Sequence, residues 1–255
     1  MLAVQRRNET LSLLSRQPVV TVEDLATRMA VSLSTVRRDL DELERQGKVR
    51  RVHGGAVLNE PSPTDAPEPP LAAREIECAA EKQAIAARAA ALIEPGTVIL
   101  VSGGTTTAGL APHLSGIPGI TVVTNSLDLA MRLALVDVDV VVLGGALRRP
   151  ELSLLGSLVG HGLGELHIDH VLMGSYGIDP QSGLLGASAI ECETDRRIAR
   201  SARRLTVLAD ATKFARRSPH RICTFEAVRD LVTTAAIDAG DLAAVRAQGV
   251  DVVVA

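Results

Sequence analysis

Glycine, threonine and serine follow several aliphatic runs in this sequence, and these residue types are suited to binding an anion. The segment SGGTTT, Ser102 to Thr107, comes directly after the run Val98 to Val101. Glycine lets the backbone approach a ligand closely, and free amides at a helix start donate hydrogen bonds together with threonine hydroxyls. The ligand-binding residues predicted from this corner and from two similar ones are Gly103, Gly104, Thr105, Thr106, Thr107, Thr124, Asn125, Ser126, Gly144 and Gly145.

A lysine is predicted to lie at the same edge of the sheet as these corners. The segment Asp210-Ala-Thr-Lys213 follows the run Leu205 to Ala209. The carboxyl ends of parallel strands share one sheet edge, where ligands bind in open α/β sheets. One corner alone is better explained as an ordinary tight turn and helix cap. Three corners and a lysine at one edge favour a site in which Lys213 neutralises a phosphate.

Hydroxyl and basic side chains also gather near the N-terminus, on a predicted helix over Leu33 to Gln46. Ser32 is a good N-cap for this helix, which Gly47 ends. Its apolar stripe consists of Val36, Leu40 and Leu43. The outward N-terminal half carries Ser34, Thr35, Arg37 and Arg38.

A second capped helix precedes it. Thr21 and Asp24 resemble a capping box that opens a short helix through Met29, and Ala30 and Val31 then form a tight turn. Two such helices predict a helix-turn-helix whose second helix presents its side chains to the major groove of double-stranded DNA.

Basic and apolar residues alternate from Lys48 to a glycine pair at 54–55, which predicts a β-hairpin wing along the phosphate backbone. Its predicted DNA contacts are Lys48, Arg50, Arg51 and His53, besides Ser32 at the helix cap. Two alternatives stay open. In the first, His53 has a structural role in the wing turn and makes no phosphate contact. In the second, Arg37 and Arg38 belong to a solvated helix face and pair with Asp41 and Glu42.

Charge and composition divide the chain into two parts. Residues 1–58 carry ten basic against seven acidic side chains, although the whole chain has a net charge of -3. Residues 59–71 are rich in proline and predict a linker. We therefore expect a DNA-binding domain over 1–58 and an effector-sensing domain over 72–255.

Short aliphatic runs alternate with helical patterns in the second part. This alternation predicts an α/β domain with a mainly parallel sheet. The predicted strands are Val98 to Val101, Ile120 to Val123, Val138 to Leu143, Val171 to Met173, Leu205 to Ala209, Leu231 to Thr233 and Val252 to Val254. Helices are predicted near 78–93, 106–114, 126–135, 187–202 and 241–247.

Several classes of protein are disfavoured. Aromatic residues make up 1% of the chain, which nearly excludes base stacking on aromatic platforms. Three widely spaced cysteines fit a reducing, cytoplasmic location, and neither a signal peptide nor a membrane span is expected.

Other motifs carry little weight. The glycines at 160–164 do not complete a dinucleotide fingerprint and are expected in a loop. His167 and His170 lack a third zinc ligand, so neither a metal nor a cofactor is expected. The acids Glu191, Glu193 and Asp210 are better explained by exposed helix charge or effector contact than by catalysis.

The stretch VSLSTVRRDLDELERQGKVRRVHGGA, Val31 to Ala56, resembles the signature of the DeoR family of bacterial transcriptional regulators. The resemblance continues through Arg74, the segment Glu81-Lys82 and the GTT, TNS, GG and D-x-T-K patterns. It departs at Thr10, where the family usually has a large aliphatic residue. It departs again at Ser102 and Asp195, where the family often has Asp and Lys.

The resemblance implies a sensor domain related to ribose-5-phosphate isomerase and a phosphorylated sugar or sugar-derived effector. The expected function is repression of carbohydrate genes by a homo-oligomer bound to operator DNA, relieved by that effector, without enzymatic activity. The alternative is a sugar-phosphate isomerase carrying an accessory DNA-binding module.

Overall fold

The computed structural model describes residues 3–14, 20–45, 49–52, 55–58 and 69–255. The chain divides into two compact units, Met1–Ala66 and Pro67–Ala255. Most of the expected linker, residues 59–68, lies outside the described residues, as do Gln46, Gly47, Lys48 and His53.

Helices and a small sheet make up the first unit, with the strands in the order β1-β3-β2. Its apolar core includes Leu25, Leu40 and Leu43, each at most 1% exposed. The elements are α1 (Ala3–Leu14), β1 (Val20–Thr21), α2 (Val22–Met29), α3 (Leu33–Arg45), β2 (Val49–Val52) and β3 (Gly55–Leu58).

The predicted N-cap and turn around α2 are present, and the Asp24 carboxylate accepts a hydrogen bond from the Thr21 hydroxyl at 2.7 Å. The Thr21 hydroxyl accepts a hydrogen bond from the Asp24 amide at 3.1 Å, which satisfies one of the free amides at the helix start. Ala30 ends α2 in the left-handed conformation, with φ of 52°. The turn therefore directs the chain into α3 within a few residues.

Two polar residues of α1, Arg6 and Thr10, find hydrogen-bond partners on α3 and within α1 respectively. The Arg6 guanidinium bonds both carboxylate oxygens of Asp39 on α3, at 2.7 and 3.3 Å. Thr10 is buried, and its hydroxyl donates to the Arg6 carbonyl at 2.9 Å. The threonine in this aliphatic position thus satisfies its polar group within its own helix.

The β-hairpin wing, formed by β2 and β3, requires glycine at position 55. β3 pairs with both β1 and β2, and Gly55 lies opposite Thr21 and Val52. A Cβ at this position would lie 2.3 Å from the Val20 carbonyl oxygen. Only glycine fits where the backbones approach so closely.

A seven-stranded parallel sheet organises the second unit, in the order β15-β14-β12-β9-β4-β5-β6. All seven predicted strands occur in it, with ends shifted by at most one residue. They are β4 (Val98–Val101), β5 (Thr121–Thr124), β6 (Asp139–Val142), β9 (His170–Met173), β12 (Arg204–Leu208), β14 (Asp230–Thr233) and β15 (Asp251–Val254). The fold class is therefore α/β, as predicted.

Apolar clusters lie on both sides of this sheet, since Leu100 and Val171 belong to one cluster while Ile99 and Leu172 belong to another. The helices are α4 (Leu71–Ile76), α5 (Ala79–Ala90), α6 (Thr105–Ala108), α7 (Ala111–Leu114), α8 (Leu127–Leu133), α9 (Ser157–Gly164), α10 (Ala189–Ala199) and α11 (Ala239–Ala247).

One predicted helix is broken in two. The segment 106–114 forms α6 and α7, separated by Gly109 and Leu110. Pro112 has no N–H to bond the Ala108 carbonyl, so the regular helical ladder cannot run through this point. The amides of Leu110 and His113 instead bond carbonyls three residues back, at 3.0 and 2.8 Å.

The prediction of a loop at 160–164 is wrong, because these residues belong to α9. Val159 and Leu163 are buried one helical turn apart. A Cβ on Gly160 would lie 2.3 Å from the Arg197 guanidinium. Close packing against α10 therefore outweighs the low helix propensity of glycine.

Two small antiparallel sheets were not predicted. β7 (Ala146–Arg148) pairs with β8 (Ser153–Leu155), while β11 (Gly183–Leu185) lies between β10 (Gly177–Asp179) and β13 (Arg221–Cys223). Three residues are too few to establish a strand pattern. None of the described helices is long and apolar enough to cross a membrane.

Candidate DNA-binding face and ligand cleft

The start of α3 carries a cluster of hydroxyls. The Ser32 hydroxyl accepts a hydrogen bond from the Thr35 amide at 3.2 Å and so caps the helix as predicted. Its oxygen also lies 2.9 Å from the Ser34 hydroxyl and 2.8 Å from that of Thr35. Ser32 and Ser34 are exposed, whereas Thr35 is half-buried. The cap therefore presents oxygen atoms at the exposed end of the helix.

Arg37 and Arg38 are exposed one turn further along α3, while Val36 and Leu40 are buried. The acids that would pair with these arginines are engaged elsewhere. Asp41 lies 2.7 Å from Arg51, and Glu42 lies 2.7 Å from Arg45. Among the described residues, no ion pair holds Arg37 or Arg38 against their own helix.

The wing is tied to α3. Besides its ion pair with Asp41, Arg51 donates its backbone N–H to the Glu44 carboxylate at 2.9 Å. The predicted phosphate contact of Arg51 would thus be made by a side chain that already holds β2 against α3. The predicted contacts Lys48 and His53, and the side chain of Arg50, lie outside what the structure describes.

In the second unit, a cleft opens at the carboxyl edge of the parallel sheet. Among the predicted residues it is lined by Gly103, Gly104, Thr105, Thr106, Thr107 and Lys213. Its other lining residues are Arg74, Ser102, Glu151, Gly174, Ser175, Tyr176, Gly186, Ala187, Glu191, Asp195 and Leu208. The first predicted corner and the lysine therefore meet in one cavity.

The Gly-Thr corner has a conformation that only glycine adopts readily. Gly104 has φ of 145°, and the Thr107 hydroxyl donates to its carbonyl at 2.9 Å. The Gly103 amide donates to the Asn125 side chain at 3.2 Å. Asn125, which follows the neighbouring strand β5, thus holds the corner in place.

The second predicted corner braces the first one. Asn125 is buried, and its side-chain amide donates to the Leu154 carbonyl at 3.1 Å. The Thr124 hydroxyl donates to the Val101 carbonyl at 2.7 Å, and Ser126 caps α8. None of these three residues lines the cleft.

The third corner also lies outside the cleft lining. A Cβ on Gly145 would lie 2.7 Å from the Leu155 carbonyl oxygen, so this glycine permits close packing of β7 on β8. Gly144 is exposed at the end of β6. The structure thus gives Gly145 a packing role and does not bring the pair to the ligand cavity.

Lys213 follows β12 on a short 3-10 helix, Ala211–Ala215, which is capped by Asp210 through a 3.0 Å bond from the Thr212 amide. Burial lowers the pKa of Lys213 to about 8, with a further contribution from the charge of Arg216 and an opposing one from Asp210. The burial of the ammonium group favours the binding of an anion beside it. The positive charges of its cationic neighbours favour anion binding as well.

Carboxylates in the same cleft alternate with arginines. Arg148 lies 3.0 Å from Glu191 and 3.6 Å from Glu151, and Glu151 lies 3.2 Å from Arg74. The Ser188 hydroxyl also donates to Glu191 at 2.9 Å. The acids expected on α10 thus separate, because Glu191 lines the cleft whereas Glu193 is exposed and pairs with Arg197.

Two of the three residues at which the sequence departs from the DeoR pattern, Ser102 and Asp195, line the cleft. Ser102 is buried at the end of β4, and Asp195 is half-buried on α10. Relative to the family pattern, the cleft has lost a carboxylate at Ser102, and at Asp195 a negative charge replaces the positive charge of a lysine. We expect this exchange to affect which ligand is accepted.

Sequence reasoning missed Arg74, Glu151 and the pair Ser175-Tyr176 as cleft residues. Ser175 and Tyr176 follow β9, so the sheet-edge rule would have located them. Arg216 lies over the Tyr176 ring, 5.4 Å from its centroid, and fixes the ring through a cation–π contact. Arg74 and Glu151 come from α4 and the β7–β8 turn, neither of which was predicted.

The two histidines are separate. His167 is exposed, while His170 is buried with a ring nitrogen 2.7 Å from the Thr206 hydroxyl. Burial, aided by Arg204, lowers the pKa of His170 to about 4. Within the described ranges, no group of three His, Cys, Asp or Glu side chains is placed to hold a metal ion.

Two family profiles match the chain. The DeoR-like helix-turn-helix domain matches residues 6–62, and the DeoR C terminal sensor domain matches residues 77–235. The match of the first profile covers α1 to α3 and the wing. The second covers every element that lines the cleft except α4.

Relatives that match over most of both chains agree with these two family profiles. The HTH-type transcriptional regulator GlpR of Haloferax volcanii is 31% identical over 99% of this chain and 98% of its own. GolR of Listeria innocua is 32% identical over 91% of each chain. The glycerol-3-phosphate regulon repressor of Escherichia coli is 31% identical over 85% of this chain and 84% of its own.

Among solved structures, ribose 5-phosphate isomerase A from Methanocaldococcus jannaschii aligns with a TM-score of 0.41 and 16% identity, over 54% of this chain and 55% of its own. The fold assignment rests on the strand order given above. From its two matched domains and its full-length relatives, the chain belongs to the DeoR family of transcriptional regulators.

Proposed function

We propose that this protein represses genes of carbohydrate metabolism by binding operator DNA, and that a phosphorylated sugar in the cleft relieves the repression. The observation that carries the proposal is the presence of two exposed arginines, Arg37 and Arg38, on the N-terminal half of α3 together with a separate cleft that contains a Gly-Thr corner and Lys213. Relatives named as regulators, one of them of the glycerol-3-phosphate regulon, support the same assignment.

DNA recognition is assigned to the first unit. Arg37 and Arg38 have the exposure needed for contacts with guanine or phosphate, and the hydroxyls of Ser32 and Ser34 suit a phosphate beside the helix start. One helix-turn-helix reads one half-site, so we further propose that a homo-oligomer binds a symmetric operator. Sedimentation analysis of the full chain tests the oligomer directly.

The ligand class follows from the charges in the cleft. Lys213 and the amides around Gly104 suit a phosphate group, which takes both hydrogen bonds and positive charge. Glu191 and Asp195 offer acceptors for sugar hydroxyls. A ligand with one anionic end and several hydroxyls satisfies both sets.

We propose that the cleft binds its ligand without converting it. Arg148 contacts both Glu151 and Glu191, so both carboxylates are already engaged in ion pairs. Isomerisation requires a base that removes a proton from carbon. A coupled assay on pentose phosphates tests this point, and turnover would favour the isomerase alternative.

A location in the cytoplasm belongs to the same proposal. The three cysteines, Cys78, Cys192 and Cys223, are free thiols. Free thiols are usual in a reducing compartment.

The experiment for the sensing function is a thermal-shift screen of the full chain against phosphorylated sugars. A ligand that binds only the folded state stabilises it, by about 2.7 kcal/mol at a concentration of 100 times its Kd. We expect phosphorylated sugars to raise the melting temperature and their unphosphorylated forms to have no effect. A flat response to the whole panel would contradict the proposal.

A further inference from the structure

We propose that Arg74 is a ligand-binding residue that exchanges Glu151 for the anionic group of the ligand, and that α4 thereby passes the state of the cleft to the chain leading to the DNA-binding unit. The inference rests on the function proposed above. It adds a residue and a route that the Gly-Thr corner and Lys213 do not supply.

Arg74 occupies an unusual position for a cleft residue. It belongs to α4, the first element of the second unit, and is 5% exposed. Its side chain lines the same cavity as Gly104 and Lys213. Along the chain, residues 59–70 are all that separate α4 from β3. No other cleft residue is so close in sequence to the DNA-binding unit.

The pairing of Arg74 favours exchange. Its Nη1 lies 3.2 Å from Glu151 Oε1, longer than the 2.7–2.9 Å usual for bonds between charged partners. Glu151 has a second cation, since its Oε2 lies 3.6 Å from Arg148. Glu151 therefore keeps a partner when Arg74 turns to a ligand, which avoids leaving a half-buried carboxylate without a cation.

A phosphate group suits the guanidinium better than Glu151 does. Arginine presents its N–H groups as a planar fork that matches two oxygens of one phosphate. The neighbouring Gly103–Thr107 corner supplies further donors in the same cavity. Arg74 and the corner would then hold one anionic group from two elements that already contact each other, α4 and α6.

Movement of Arg74 would affect α4 directly, because neighbouring segments are hydrogen-bonded to both ends of this short helix. The Leu71 amide donates to the Pro150 carbonyl at 3.2 Å, one residue before Glu151. The buried Lys82 ammonium donates to the carbonyls of Arg74 and Glu77, the latter at 2.6 Å. A change in the Arg74–Glu151 pair therefore acts on the first and last turns of α4.

This arrangement explains how a ligand could lower DNA affinity. A ligand shifts an equilibrium only if it binds the two states unequally. Here the ligand favours the state in which Arg74 has left Glu151. The state with Arg74 on Glu151 is the one we assign to DNA binding.

The test uses the full chain, a DNA duplex selected from a random pool by the wild type, and the phosphorylated sugar that most stabilises the wild type. Three variants are compared for ligand affinity by calorimetry and for ligand-induced DNA release by fluorescence anisotropy: Arg74→Met, Glu151→Gln and Glu75→Gln. Glu75 is the matched control, because it lies on α4 but pairs with Arg132 on α8.

We expect Arg74→Met to bind the sugar phosphate roughly ten- to a hundredfold more weakly and to remain on DNA, as loss of a hydrogen bond to a charged group implies. Glu151→Gln should bind it about fivefold more tightly and release DNA at lower concentration, because a competing partner of Arg74 is gone. Glu75→Gln should match the wild type.

The opposite signs keep the test independent of misfolding, since a misfolded chain does not gain affinity. Unchanged ligand affinity in Arg74→Met, or weaker binding by Glu151→Gln, would overturn the inference while leaving the sensing function intact. If no sugar phosphate affects the wild type at all, the sensing function fails and this inference fails with it.

Discussion

The two candidate sites differ in how their side chains relate to the fold. On α3, Arg37 and Arg38 are exposed, while a separate set of buried residues such as Val36 and Leu40 holds the helix. In the cleft, Arg74 and Glu191 are buried, and both take part in the ion pairs that shape the cavity. The DNA-binding face can therefore change without loss of the fold, whereas changes in the cleft alter binding and packing together.

The largest effect is expected where the first unit does resemble the cleft, at the largely buried pair Arg6–Asp39, whose side chains are 13% and 12% exposed. Asp39→Ala leaves a guanidinium without its carboxylate, and we expect a loss of about 2 to 3 kcal/mol in the free energy of unfolding. Denaturant titration measures it. Glu23→Ala, an exposed acid on α2, serves as the control. A loss no greater than that of the control would show that the pair contributes little.

Next in size is the effect of α3 on DNA affinity. Arg37→Ala or Arg38→Ala should each weaken binding to the selected duplex by ~1 to 3 kcal/mol if base contacts are lost. Melting temperature should stay unchanged, because both side chains are exposed. Arg88→Ala, which removes an exposed arginine from the second unit, is the control in the same gel-shift titration. Two variants that bind like this control would place the recognition surface elsewhere.

The cleft should show a pH dependence that the DNA-binding face lacks. The lowered pKa of Lys213, about 8, means that the lysine loses its charge as the pH rises through 8, whereas a phosphate group is already a dianion. Sugar-phosphate affinity should therefore fall about tenfold between pH 7 and pH 9, as the protonated fraction of the lysine does. Calorimetry at three pH values measures the change.

The matched variant is Lys213→Arg, which keeps its charge throughout this range. Its affinity should vary little with pH. A wild type that binds equally well at pH 7 and pH 9 would mean that Lys213 does not contact the anionic group.

The smallest effect is expected between the wing and α3. The Arg51–Asp41 pair is partly exposed, at 29% and 64% of the two side chains. A double-mutant cycle of Arg51→Ala and Asp41→Ala should give a coupling energy of about 0.5 kcal/mol in stability. A coupling above about 2 kcal/mol would mean that the wing contributes far more to the first unit than an exposed ion pair does.

Much of this architecture could be predicted from local sequence patterns. The helix-turn-helix follows from the caps at Thr21 and Ser32, and the parallel sheet from continuous aliphatic runs such as Val98 to Val101. Both patterns depend on near neighbours in the sequence. α9 could not be found in this way, because its three glycines lower its helix propensity, while tertiary packing of the buried Val159 and Leu163 stabilises it.

The residues of the candidate sites also differ in whether local sequence or tertiary packing determines their position. Ser34, Arg37 and Arg38 could be predicted because their exposure follows from the period of one helix. Arg74 and Glu151 could not, since they are 77 residues apart and meet only through tertiary packing. The sheet-edge rule brought the Gly103–Thr107 corner and Lys213 together correctly, but it could not tell that Asn125 braces the corner from behind.

The central claim is that DNA recognition and ligand sensing reside in different units. The most direct test measures both properties in two variants, Arg37→Ala and Lys213→Met, with DNA affinity by anisotropy and sugar-phosphate binding by calorimetry. We expect the first variant to lose DNA affinity while binding the ligand normally, and the second to bind DNA normally while losing the ligand. A variant that loses both properties while still folded would contradict the account.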